Sequence, residues 1–291
     1  MKADNRGNAT LQERFDRHKS ELSRSELAVA EYLLGQPIEV LIFQSAEDIA
    51  AESGTSDATV IRATRRLGFS GLPELKRICS RPMVISVPTT ERLSQRFRAT
   101  GDDLNVITRR IFSTAREIIS STEEKLEPDA LAKAIQVLEG ADTVWCLGMG
   151  RSETAALHCS IALSRVGLRS RHSGASGFDL ANRLIDLREG DAVILFHAVK
   201  DTAEFKLVVD RTPQLGCNVV LVCGSQLAER YRGRTAATLV CVGAAAGLSS
   251  WTIGAIAISD ILAYGIATRG KDRALATRKR LADLRGDVPN A

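Results

Sequence analysis

The 291-residue sequence predicts an N-terminal all-α helix-turn-helix domain followed by a C-terminal α/β domain, a parallel sheet with helices on both faces. Three observations carry this. Residues 45–68, SAEDIAAESGTSDATVIRATRRLG, place Ala50, Gly54 and Val60 where two short helices must approach, turn and pack back on each other. From Pro128 onward, apolar strand-like runs alternate with helical patterns, as βαβ units require. Between these parts, residues 82–100 (PMVISVPTTERLSQRFRAT) turn to Pro, Ser and Thr, which is linker chemistry. The expected division is a helix-turn-helix domain over 1–82, a linker and connecting helix over 83–125, and the α/β domain over 126–291.

Taken in order, the first ~20 residues read as a polar arm. Ser23-Arg24-Ser25-Glu26 is a capping box that opens a helix carrying Leu27, Ala30, Leu33 and Leu34 inward, stopped by Gly35 with Pro37 beyond. A short helix through Val40 and Ile42 follows. Ser45 caps the next, with Asp48 three residues on and Ile49 and Ala50 inward. Gly54 supplies the corner, Ser56 caps the second helix, and Asp57 suits its positive end. Val60, Ile61 and Leu67 are expected inside and Thr59, Arg62, Arg65 and Arg66 outside. Gly68 ends that helix, and Gly71-Leu72-Pro73 opens another. Leu104, Ile107, Ile111, Ile118 and Ile119 then give a helical pattern over 102–121, expected to pack on the second domain. Beyond it, strands are expected at Thr143–Leu147, Ala192–Phe196, Val219–Val222 and Thr238–Val242, with a weaker one near Leu168–His172. Helices are expected near Glu153–Ser164, Thr202–Gln214 and Ser249–Thr268.

Charge placement says more than the net charge of +4. Residues 1–90 balance 12 basic against 12 acidic groups, yet residues 57–81 hold Arg62, Arg65, Arg66, Lys76, Arg77 and Arg81 against only Asp57 and Glu74. A local basic face suits phosphates, and the bland alternative is a solvated helix face. The candidate DNA contacts are Ser56, Thr59, Arg62, Arg65, Arg66 and Lys76: arginine bonds guanine edges bidentately, and hydroxyls reach phosphate or thymine. The six cysteines form no CxxC pair and read as reduced, buried thiols of a cytoplasmic protein. The N-terminus has no apolar core for a signal peptide. Trp251 to Ala267 is apolar but short for a bilayer span, so a buried core or interface helix is expected and no membrane partner.

In the second domain the first strand runs into Gly148-Met149-Gly150-Arg151-Ser152. Such a turn lets backbone approach a ligand and presents free N–H groups, a hydroxyl and the Arg151 charge at a helix N-terminus; the alternative is a tight turn with no ligand. A dinucleotide fingerprint fails, because position 153 is Glu153 rather than glycine. After the third strand come His197, Lys200 and Thr202, the first two able to meet an anion and the last to cap a helix; His197 hydrogen-bonded to backbone is the plain alternative. His158 and His172 lack metal-ligand spacing, so neither metal nor cofactor is expected. Glu153 reads as a solvated first-turn acid rather than a general base, and no nucleophile–base pair stands out.

Residues 56–62 (SDATVIR) and 67–76 (LGFSGLPELK) resemble a run typical of bacterial transcription regulators of the RpiR/MurR type, with Thr55 and Ala63 replacing the more usual Val and Phe. The resemblance covers roughly residues 20–270. It implies a flavodoxin-like SIS (sugar isomerase) domain that dimerises and senses a phosphosugar, with Gly148, Gly150 and Ser152 matching its first ligand loop. Its second loop normally reads S-x-S-G-x-T; here His197, Val199, Lys200 and Thr202 stand at those positions, so only the threonine is kept. The function expected is a cytoplasmic, dimeric or tetrameric, ligand-responsive regulator of sugar or related carbon metabolism, acting as a repressor on a double-stranded operator. Its effector is a phosphosugar or other anionic metabolite held by Gly148, Gly150, Arg151, Ser152, His197, Lys200 and Thr202. The rival readings are a sugar-phosphate isomerase and a regulator whose SIS domain only dimerises.

Overall fold

The computed structural model describes residues 6–80, 89–198, 201–243 and 250–288. They form two compact units, one up to Ser121 together with Ser250, the other from Thr122 to Gly243 and from Trp251 onward.

The first unit is helical: α1 (Arg6–His18), α2 (Arg24–Gly35), α3 (Ile38–Leu41), α4 (Ala46–Ser53), α5 (Asp57–Arg66), α6 (Leu72–Cys79), α7 (Thr89–Thr100) and the part of α8 (Leu104–Lys125) that precedes Thr122. Ser23 and Glu26 close the expected capping box on α2, and Ser45 and Asp48 close one on α4. Gly54 adopts φ 65° after α4, and Ser56 caps α5 by accepting from the Thr59 N–H. The core gathers Val29, Ala30 and Leu33 of α2, Ile49 and Ala50 of α4, Val60 and Ala63 of α5, and Leu72 and Leu75 of α6. Two expectations are corrected. The supposed polar arm is α1, whose Leu11 and Phe15, one turn apart, enter this core. The supposed linker is helical from Thr89 to Thr100, and both of its prolines precede that helix; residues 82–88 of it lie outside the described residues.

The second unit is a five-stranded, wholly parallel sheet: β1 (Val144–Gly148), β2 (Ser170–Ser173), β3 (Ala192–His197), β4 (Asn218–Cys223) and β5 (Ala237–Val240), ordered β2-β1-β3-β4-β5. Its helices are α9 (Pro128–Glu139), α10 (Glu153–Ser164), α11 (Gly177–Leu184), α12 (Ala203–Arg211), α13 (Ser225–Arg230), α14 (Thr252–Arg269) and α15 (Lys271–Gly286). Alternation along each strand splits the core in two. Cys146, Ile194, Phe196, Val220 and Val222 face a layer built with α9, α10 and α14, while Trp145, Leu147, Val193, Leu195 and Leu221 face one built with α11, α12 and α13. The expected strands and helices are present with small shifts of their ends. Helices α9, α11, α13 and α15 were not anticipated; α11 and α13 are only 8 and 6 residues long, too short for a clear period.

The strand order fixes where a ligand can sit. From β1 the chain passes to β2 on one side, and β3 lies on the other, so the helices after β1 and β3 leave opposite faces and a crevice opens at the carboxyl ends of those strands. All six cysteines are buried and free, and burial pushes the Cys79 thiol up to about 11 and those of Cys223 and Cys241 up to about 12, which leaves them unreactive. Among the described residues no helix is long and apolar enough to cross a membrane.

Candidate functional site

In the first unit the candidate nucleic-acid interface is the outer face of α5. The α4–α5 corner is rigid for local reasons: the Thr55 N–H donates to the Ala50 carbonyl at 2.8 Å, and the Ser53 and Thr55 hydroxyls lie 2.9 Å apart. With Val60, Ala63 and Thr64 buried beneath, α5 exposes Asp57, Ala58, Ile61, Arg62, Arg65 and Arg66, one continuous stripe of the helix. Ile61 is 41% exposed, against the expectation that it packs inward, so the stripe mixes guanidinium groups with an apolar side chain able to meet a thymine methyl.

The arginines are also held from within. Glu26 of α2 is buried, and its carboxylate accepts from the Ser23 N–H at 2.9 Å and pairs with Arg66 Nε at 3.2 Å and Arg62 Nε at 3.9 Å. Burial raises the Glu26 carboxyl, but the Ser23 hydrogen bonds and the Arg66 and Arg62 charges outweigh it and hold it below the usual range. Arg66 Nη1 also donates to the Glu21 carbonyl at 2.7 Å, Arg65 Nε to the Ser70 carbonyl at 3.4 Å, and Arg62 Nη2 to the Thr59 hydroxyl at 3.1 Å. All three side chains are nevertheless exposed, so these contacts aim the arginines while leaving them on the surface. Ser56 is exposed at the N-cap, its hydroxyl 3.0 Å from that of Thr59.

Two predicted contacts are corrected. Thr59 is buried, with its hydroxyl engaged by Ser56 and Arg62. Lys76 is 4% exposed and pairs with Glu117 of α8 at 3.4 Å; burial lowers its ammonium from the ordinary value although Glu117 and Asp48 oppose that. A lysine spent on an internal ion pair cannot reach phosphate. In the sequence Glu26 reads only as the acid of a capping box and Ile61 as an inward side chain, and Glu117 does not stand out; the roles of Glu26 and Glu117 depend on partners distant along the chain.

In the second unit the crevice brings together the loops after β1, β2 and β3. Gly148 ends β1 against the Ser152 carbonyl, where a Cβ has no room, and Gly150 adopts φ 57°. Arg151 is exposed, and Ser152 is buried at the start of α10 without a side-chain cap bond. His197 ends β3, buried, its ring centroid 4.8 Å from that of Phe205. Thr202 caps α12, its hydroxyl accepting from the Phe205 N–H at 3.3 Å, as expected. Lys200 lies outside the described residues. Asp201 is drawn toward α13, accepting from Arg230 Nη1 at 2.8 Å and the Tyr231 hydroxyl at 3.2 Å, and the Arg230 bond holds its carboxyl low.

Two acids stand in the first turns of α10 and α12. Backbone N–H groups at the start of α12, the Thr202 hydroxyl and the His197 charge hold the Glu204 carboxyl below the usual carboxylate range. The Glu153 carboxylate lies against the backbone of Gly174, where a Cβ would overlap it. Glu204 was missed in the sequence, since a first-turn acid looks like ordinary helix solvation. Elsewhere in this unit an apolar groove of about 880 Å³ is lined by Ile135, Ile161, Ile261, Tyr264 and Leu275, with the His158–Asp260 pair at 2.8 Å; it contains none of the predicted ligand residues. Among the described residues no cluster of acids, histidines and cysteines is placed to hold a metal ion.

Comparison with known proteins places these sites in context. Residues 9–81 match the model of the helix-turn-helix domain, rpiR family. The HTH-type transcriptional regulator HexR of Pseudomonas aeruginosa is 28% identical over 223 residues, 75% of each chain. Among the curated regulators matched, the chain spans 54% of one and 75% of another. The solved sugar isomerase domain of an RpiR transcription factor from Sphaerobacter thermophilus superposes with a TM-score of 0.55 at 24% identity, covering 60% of this chain and 98% of that one. The Vibrio vulnificus NanR protein, solved in complex with ManNAc-6P, covers 98% of this chain and 100% of its own with a TM-score of 0.54 and 20% identity. Both likenesses are of fold.

Proposed function

We propose that the chain is a DNA-binding transcriptional regulator of sugar or related carbon metabolism whose operator affinity responds to a small molecule in the β1–β3 crevice, a reading supported by the match of residues 9–81 to the rpiR-family helix-turn-helix domain. The observation that carries this reading is the exposed stripe of α5, with Arg62, Arg65 and Arg66 aimed by internal bonds around Ile61. Arg62 and Arg65 read base edges, Ser56 and Arg66 serve phosphates, and Ile61 meets thymine. HexR, a transcriptional regulator aligned over three quarters of the chain, supports regulation rather than turnover.

A homodimer presents two such helices to a palindromic operator, with half-sites about one helical turn or a multiple apart. The apolar groove between α10, α14 and α15, with Tyr264 74% and Leu275 69% exposed, supports self-association of the second unit. Ligand in the crevice favours one arrangement of the pair and shifts operator affinity by its differential binding energy. The sugar-phosphate-bound NanR supports a sugar-derived effector. The test is selection of bound duplexes from a random pool by the full chain. Wild type enriches one palindromic sequence and Arg62→Ala, still folded, enriches none; equal enrichment by both removes α5 as the reading element.

A further inference from the structure

We infer that Glu26 sets the DNA specificity of the first unit: it holds Arg66 and Arg62 in the setting that reads one sequence and restrains them from the phosphates of any other. The inference rests on the reading of α5 as the recognition helix. Glu26 belongs to α2, and at 3% exposed it does not reach DNA itself, so it acts as a positioning residue. Reciprocal bonds make its carboxylate a fixed point. Oε2 accepts from the Ser23 N–H at 2.9 Å, and the Ser23 hydroxyl accepts from the Glu26 N–H at 3.4 Å, so the capping box ties the side chain to the backbone at the start of α2. Oε1 is turned to the arginines, 3.2 Å from Arg66 Nε and 3.9 Å from Arg62 Nε. These two stand one turn apart on α5, so a single buried oxygen serves both. Their side chains are 53% and 58% exposed, outward enough to meet DNA while their inner nitrogens rest on a buried charge.

A fixed negative charge beneath two exposed cations acts differently on the two kinds of DNA complex. Non-specific binding is a sum of phosphate contacts, so it gains from every guanidinium free to swing onto the nearest phosphate. Base reading needs a guanidinium in one orientation, in plane with a guanine edge. Glu26 offsets part of the charge that drives the first and supplies part of the orientation that the second requires. Discrimination is the difference between the two affinities, so both effects raise it. The bonds from Arg66 to the Glu21 carbonyl and from Arg62 to the Thr59 hydroxyl are to neutral groups, and they orient without offsetting charge. Glu26 does both.

The experiment measures the affinity of the full-length protein for the duplex enriched in selection and for a scrambled duplex of equal length, across a salt series. Glu26→Gln keeps an acceptor for the Ser23 N–H and drops the charge. It is expected to bind the scrambled duplex more tightly than wild type, with a salt dependence steeper by up to about one unit of slope. Its preference for the enriched duplex is expected to fall at least about fivefold. Equal weakening on both duplexes overturns the inference, because Glu26 then only stabilises the fold; so does unchanged binding to both. If Glu26→Gln fails to fold by circular dichroism, Glu26→Asp takes its place, with lowered preference expected and unchanged preference overturning the inference. Aspartate closes the corresponding box between Ser45 and Asp48, yet at position 26 its carboxylate stops one methylene short of the arginines. Wild type that enriches no duplex removes the recognition helix and this inference with it. A wild-type preference kept in full by the Glu26 variants removes the role of Glu26 and leaves the regulator.

Discussion

Lys76 and Glu117 allow a sharp test of which cations face solvent and which hold the first unit together. Lys76 is 4% exposed and its Nζ lies 3.4 Å from the Glu117 carboxylate, which is itself 19% exposed. Glu117→Ala leaves a buried ammonium without its partner, a change that costs about 3–5 kcal/mol. Asp48 also attracts Lys76, which favours the lower end, about 3 kcal/mol, or a fall in Tm of roughly 10–20 °C for a unit of this size. Lys76→Met should cost at most about 1 kcal/mol, because methionine fills the space of the lysine stem and the partly exposed Glu117 can rehydrate. Circular dichroism at 222 nm follows the helices of both units and fluorescence of Trp145 and Trp251 the second unit alone, so a loss seen in the first signal and not in the second belongs to the first unit. Operator affinity of Lys76→Met should stay within about threefold of wild type, since a rim phosphate contact is not being lost. A Glu117→Ala variant as stable as wild type to within ~0.5 kcal/mol, or a Lys76→Met variant damaged as badly as Glu117→Ala, refutes the reasoning.

Glu26→Gln keeps the hydrogen bond from Ser23 but drops the charge facing Arg66 and Arg62, and should cost about 0.5–1.5 kcal/mol at neutral pH. Because the folded Glu26 carboxyl titrates below its unfolded value of ~4.3, its contribution is complete above that pH and fades as the pH falls through the folded value; melts between pH 3 and 6 should show this acid-side loss in wild type and less of it in Glu26→Gln. Gly148→Ala drives a Cβ into the Ser152 carbonyl and should destabilise the second unit by about 1–3 kcal/mol, read as a lowered tryptophan-fluorescence transition; an unchanged transition contradicts the packing described for that turn.

What the sequence made legible was local. Gly54, Ser45 and Ser56 act through bonds to residues within a turn of themselves, and the strand runs around Ile194 and Val220 declare themselves by composition, so the corner, the caps and the parallel sheet were all readable. What escaped depended on distant partners. Lys76 looked like a surface cation because Glu117 stands 41 residues away. The first ~20 residues read as a polar arm because Leu11 and Phe15 are buried only by a core assembled from later helices. Thr59 faces the same way as its neighbours in a helical wheel, yet Ser56 and Arg62 close over it.

The account turns on the outer face of α5, and one comparison tests it most directly: affinity of the full chain and of Arg62→Ala for the duplex enriched in selection and for a scrambled duplex of equal length, at one salt concentration. Arg62→Ala should lose roughly 5- to 150-fold on the enriched duplex, the worth of one bidentate base contact, and little on the scrambled one. Undiminished preference for the enriched duplex in Arg62→Ala would mean that another surface reads the DNA.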